Sequence, residues 1–181
     1  MQGLVNFATA MGDAIAVLLP ALCYLAACIS FFFAAWTFRS YAYPHHHQHR
    51  HQPWVPFVSL ILAGVFASFP QFLTMASVSA GTSVAASLTS YAPTTPGNAS
   101  NILGSTPQNT VVNVVQLFEH FFQMFGAACV FWSIVTWRAI VNGRSNGSPV
   151  ACAVQFTFGV MCINMLTIAN SVLSLLSATG G

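Results

Sequence analysis

Charge is what this sequence lacks. Its 181 residues include four Arg, no Lys, one Asp and one Glu, so 3% of the chain is charged, against roughly 25% in a soluble domain. With 56% hydrophobic residues, too little polar surface remains to cover a water-soluble core. An ordinary soluble enzyme and a disordered tail are both excluded. Four Arg form no phosphate-tracking patch, which argues against direct nucleic-acid binding. Also missing are a phosphate loop, a zinc-protease helix motif, a Gly-x-Ser-x-Gly elbow and a credible Ser/His/Asp set. The two carboxylates each stand alone in sequence, and acid–base catalysis needs positioned titratable partners. The reading is therefore non-enzymatic, with no cofactor and no evident small-molecule substrate.

Paired cysteine is absent too. Cys23, Cys28, Cys129, Cys152 and Cys162 are odd in number, fall within or at the end of apolar runs, and include no Cys-x-x-Cys. Neither a disulfide framework nor a Cys-based zinc site fits, and free thiols acting as small hydrophobes are expected.

What the sequence does have is long apolar runs. Four are long enough to cross a bilayer core, which takes about 20 residues. They cover about residues 14–38, 54–78, 115–137 and 151–177. They do not alternate in polarity as barrel strands would, so the predicted fold class is all-α, a polytopic integral membrane protein with four transmembrane helices. No basic residue precedes the first run, so it is expected to be retained as a span and not cleaved as a signal peptide. Ala8, Gly12 and Ala16 are spaced for close helix approach, as are Gly64 and Ser68. Pro20 and Pro70 predict kinks.

The four Arg orient the spans. Arg39 and Arg50 fall in the link 39–53, and Arg138 and Arg144 fall in the link between the third and fourth spans, Arg138 just before residues 139–150 and Arg144 within them. The positive-inside rule places both links in the cytoplasm and puts both termini and the loop 79–110 on the periplasmic side of a bacterial inner membrane. That loop is uncharged and rich in Ser, Thr, Asn and Gly, with Pro93, Pro96 and Pro107, and it carries the sequon Asn98-Ala99-Ser100. The halves share a plan of helix, Arg-opened link and returning helix. Thr37-Phe38-Arg39 parallels Thr136-Trp137-Arg138, and Gly64-Val65 parallels Gly159-Val160. Duplication would make two parallel helix-hairpin repeats; chance similarity among apolar helices is the alternative.

Two constellations could carry chemistry. His45, His46, His47, His49 and His51 lie between Pro44 and Pro53. Clustered imidazoles bind Zn, Ni or Cu, or serve as a polar, partly protonated link beside anionic lipid. On the third helix, Asn113, Gln116, Glu119 or His120, and Gln123 recur every three to four residues. That polar stripe is expected to be buried against protein, as a packing or assembly face or as a proton relay. Asn164, flanked by Gln155 and Asn170, lies near the middle of the fourth span and calls for an interhelical hydrogen bond.

The second half reads Phe122-x-x-Phe125-Gly126, Phe131, Trp137-Arg138, a link through Gly143 and Gly147, then Phe158-Gly159-Val160 and Asn164; the first half has a Pro-interrupted opening helix, a basic link and a returning helix with Gly64. This layout resembles the small inner-membrane proteins of type IVB secretion and I-type conjugation, the IcmC (DotE) and TraQ group. It departs from that group at Phe158, where paired glycines are usual, and in its His-rich link and Ser/Thr-rich loop. The resemblance implies a structural subunit of a type IV secretion apparatus, in contact with lipid and with other membrane subunits, and open to oligomerisation. Gly64, Gly126 and Gly159 are the expected helix-packing positions. The rival readings are a small channel or transporter, metal-linked through the His run, and a holin-like pore former.

Overall fold

The computed structural model of the protein describes residues 2–42, 54–81 and 107–179. The His run 45–51 with Arg50, and the sequon at 98–100, lie outside the described residues. Every element among the described residues is helical: α1 (Gln2–Ala42), α2 (Val55–Ala67), α3 (Phe69–Ser79), α4 (Pro107–Leu117), α5 (Glu119–Val141), α6 (Pro149–Ile163) and α7 (Met165–Thr179).

α1 is longer than the sequence implied. It starts at Gln2, not near residue 14, and its 41 residues continue through Pro20 without a break in helical assignment. At 1.5 Å per residue it is about 61 Å long, twice a hydrocarbon core of about 30 Å. Val5, Ala8, Gly12, Leu19, Cys23, Ala27, Ser30, Ala34 and Thr37 are buried, and most of their steps are of three or four residues, which puts them along one face. Leu18, Phe32 and Trp36 face outward, 61–70% exposed, as lipid-facing side chains should. The buried hydroxyls need no distant partner. Ser30 donates to the Ala26 carbonyl at 2.6 Å and Thr37 to the Phe33 carbonyl at 2.7 Å, which satisfies them within the helix.

α1 and α5 run in the same direction, because Asp13 meets His120 at one end while Phe33 meets Arg138 at the other. α2 returns along α1, with Phe38 edge-on to Phe57 at 5.4 Å. α6 returns along α5, where the Ser133 hydroxyl donates to the Cys152 carbonyl at 2.6 Å. The two pairs meet at Phe131, edge-on to Phe66 at 5.5 Å and to Phe69 at 5.9 Å. Leu73, Met124, Ala127 and Val130 complete this buried centre.

The expected spans 54–78 and 151–177 are not straight. α2 and α3 are bent by 89°, and α6 and α7 by 77°. Pro70 explains the first bend: it has no N–H for the Phe66 carbonyl, and its ring crowds that carbonyl, so the helix breaks at Ser68. The second has no proline. Asn164 caps α6 with φ −99° and ψ 20°, and its side-chain amide donates to the Val160 carbonyl at 2.9 Å, competing with the backbone for the i−4 acceptor. α2 and α6 cover only about 20 and 22 Å at 1.5 Å per residue. Each is therefore about two-thirds to three-quarters as long as a 30 Å core is thick. Two helices, α1 and α5, are long and apolar enough to cross a membrane, and up to four crossings result if each bent pair counts as one. The third run also starts later than expected: α4 ends at Leu117, and α5 opens at Glu119 after a break at Phe118.

Candidate functional site

The described Asp, Glu, Arg and His side chains gather in two layers, one where Asp13 of α1 meets the start of α5 and one at the far ends of α1 and α5. At one end Asp13 meets His120. The Asp13 Oδ1 lies 3.1 Å from His120 Nε2, and both side chains are about one-quarter exposed. Gly12 makes this approach possible: a Cβ there would sit 2.8 Å from His120 Cδ2, so the imidazole lies on bare backbone. Sequence reading missed Asp13 because it started the first span one residue later. The available signal was a carboxylate inside an apolar run that begins well before residue 14.

The stripe Asn113, Gln116, Glu119, His120 and Gln123 does not form one buried surface within the chain. Gln116 is exposed, and the other four are only partly covered. The break at Phe118 divides the stripe between α4 and α5. His120 turns to α1, whereas Glu119 accepts from the Gln123 amide at 3.1 Å on its own helix. Glu119 in the first turn of α5 and Arg138 in the last also match the helix dipole in sign.

Asn164 is buried at the junction of α6 and α7, the middle of the expected fourth span, and its side-chain amide bonds the Val160 carbonyl of α6. Asn170 is exposed on α7. Of the three glycines expected to pack helices, two meet each other. A Cβ on Gly126 would fall 2.5 Å from the Gly159 carbonyl oxygen, and one on Gly159 would fall 2.8 Å from the Gly126 oxygen. Gly64 is different: it is exposed and a Cβ there would meet nothing within 4 Å, so it takes no part in packing within the chain.

At the opposite end lie Arg39, Arg138 and Arg144. Arg39 is exposed. The guanidinium carbons of Arg138 and Arg144 lie 5.8 and 5.4 Å from the centroid of the same ring, Phe33. His120 and Arg138 are 18 residues apart on α5, or about 27 Å. The two polar ends thus bracket a slab close to the 30 Å hydrocarbon thickness. Three of the four Trp, Trp36, Trp54 and Trp137, are exposed near the Arg end, where an aromatic interfacial belt belongs.

All five cysteines are free, with Cys23, Cys152 and Cys162 buried and Cys28 exposed. Among the described residues no group of three or more His, Cys, Asp or Glu is placed to hold a metal ion; the candidate ligands His45, His46, His47, His49 and His51 are outside that set. No protein-family model, curated protein or solved structure matches the chain.

Proposed function

We propose that the chain is a non-catalytic assembly subunit of the inner membrane in a bacterial type IV (IVB or conjugative) secretion apparatus. One observation supports an assembly role above the others. The first turns of α1, from Gln2 to Asp13, extend about 16 Å beyond the polar end layer at 1.5 Å per residue. That extension exposes Leu4, Phe7 and Met11, which are 60%, 63% and 43% exposed and spaced three and four residues apart. Beyond the slab this apolar stripe has no lipid to cover it, so a protein partner is the natural cover. The resemblance to the IcmC (DotE) and TraQ group supplies the type of assembly.

In this reading each bent pair counts as one crossing, giving four spans arranged as two parallel hairpins. The similar lengths of α2 and α6, each followed by a sharp bend, support that plan. The Arg partition puts the links 39–53 and 139–150 in the cytoplasm and the termini and loop 79–110 in the periplasm.

The test is replacement of Leu4, Phe7 and Met11 by Ser in the native host. Transfer of DNA or effector protein should fall, and the chain should leave the secretion complex while its membrane level holds. Normal transfer after deletion of the gene would refute the reading. A small channel or transporter is the second reading, favoured by the Asp13–His120 pair. A metal-linked transporter should lose metal-dependent uptake when the five histidines of residues 45–51 are replaced by Gln; an assembly subunit should keep its function.

A further inference from the structure

We infer that Arg138 and Arg144 form, over the ring of Phe33, a binding site for a phosphate group. The two guanidinium carbons converge on one ring, at 5.8 and 5.4 Å from its centroid. Two like charges that share one ring repel each other, and an anion beside them would relieve that repulsion. The chain cannot supply that anion from a side chain. Its only carboxylates are Asp13 and Glu119, and Glu119 is 19 residues from Arg138 along α5, about 28 Å away. Asp13 sits beside His120 at that same far end.

One donor is also unused. Arg138 Nε is buried and has no hydrogen-bond partner among the described residues. The Phe33 ring can receive the cations through its face, but it offers no strong acceptor to the five N–H groups of each guanidinium. Paired forks of this type match the oxygens of phosphate.

The backbone holds the arrangement in place. Gly143 takes φ +67°, with its N–H on the Ile140 carbonyl at 2.9 Å, and the Arg144 N–H closes on the Ala139 carbonyl at 2.9 Å. This is a Schellman closure with glycine at its left-handed position. It folds residue 144 back over the end of α5, next to Arg138 and Phe33. Arg144 is therefore held by a rigid turn and not by a free loop.

The location identifies two sources for the phosphate. The site lies at the edge of the 27 Å apolar slab, at the level of Trp36, Trp54 and Trp137, where the headgroups of anionic lipids sit. A lipid phosphodiester and free inorganic phosphate share the same chemistry, and depth in the membrane favours the lipid.

The experiment uses the full chain in detergent micelles doped with phosphatidylglycerol, with diacylglycerol of the same chains, or with inorganic phosphate in the buffer. Thermal unfolding and lipid retention by native mass spectrometry are the readouts. Phosphatidylglycerol should raise the Tm and be retained, and diacylglycerol should do neither. Arg144→Gln and Arg138→Gln should each weaken retention about tenfold or more, whereas Arg39→Gln, also at this end, should not. Arg144 is exposed, so its variant should remain folded even if the Arg138 variant does not. Stabilisation by inorganic phosphate equal to that by phosphatidylglycerol would support the site and assign it to free phosphate. Full retention in Arg144→Gln, or equal loss in Arg39→Gln, would overturn the proposal in favour of diffuse charge attraction.

Discussion

Replacing Gly126 by Ala tests how closely α5 and α6 meet. The added Cβ would lie 2.5 Å from the Gly159 oxygen and 2.9 Å from the Ile163 nitrogen, both backbone atoms that no rotamer change can move. A carbon approaches an oxygen no closer than about 3.3 Å in ordinary contacts, so the helices must part by about 0.8 Å. Overpacking of this kind costs about 1–3 kcal/mol, and parting the helices also weakens dispersion along the seam. Alanine's helical advantage over glycine returns about 1 kcal/mol. Because the obstacle is backbone, the cost falls in the upper part of that range, so the net loss should be about 1–2 kcal/mol, which for a chain of this size lowers the Tm by about 2–8 °C. Gly64→Ala is the control, because nothing lies within 4 Å of its Cβ and only the helical advantage remains. Thermal unfolding in detergent, followed by circular dichroism, should show Gly126→Ala below wild type and Gly64→Ala at or above it. The double variant with Gly159→Ala should cost less than the sum of the two, since both methyls need the same gap. An unchanged Tm for Gly126→Ala would refute the close approach.

Asp13→Asn and His120→Gln should each cost about 0.5–1 kcal/mol, given the partial exposure of the pair, and a double-mutant cycle should show them coupled; additive losses would deny the contact. Glu119→Gln should preserve complex formation, because the Gln123 bond needs only an acceptor, while Glu119→Leu should reduce it; equal loss of activity in both variants at normal protein level would favour proton transfer. Single cysteines placed at Gln48 and Ser145 should be shielded from an impermeant thiol reagent in intact cells, and one at Ser100 should label; labelling at Gln48 would reverse the orientation.

The helical, membrane-embedded character of the chain was legible from composition, because a chain with six charged residues has no other way to satisfy its surface. The Gly126–Gly159 seam was visible in part: glycine within an apolar helix signals close approach. Gly64 carried the same signal yet faces outward, because local sequence says that a helix can be approached but not whether a neighbour is there. The break at Ser68 follows from Pro70, a local cause. The break at Asn164 has no proline to announce it; there the Val160 carbonyl accepts from both the backbone N–H and the side-chain amide of Asn164, a sharing seen only in the folded helix.

Sequence alone determined the secondary-structure type, the apolar runs and the partition of Arg, since each depends on residue type and spacing along one chain. Tertiary structure decided what crosses between helices. Asp13 and His120 are 107 positions apart, and no periodicity links them; they meet because Gly12 leaves room where α1 passes α5. Arg138 and Arg144 share Phe33 for a similar reason. The left-handed turn at Gly143 and the parallel run of α1 beside α5 have to act together, and only the packed chain supplies both.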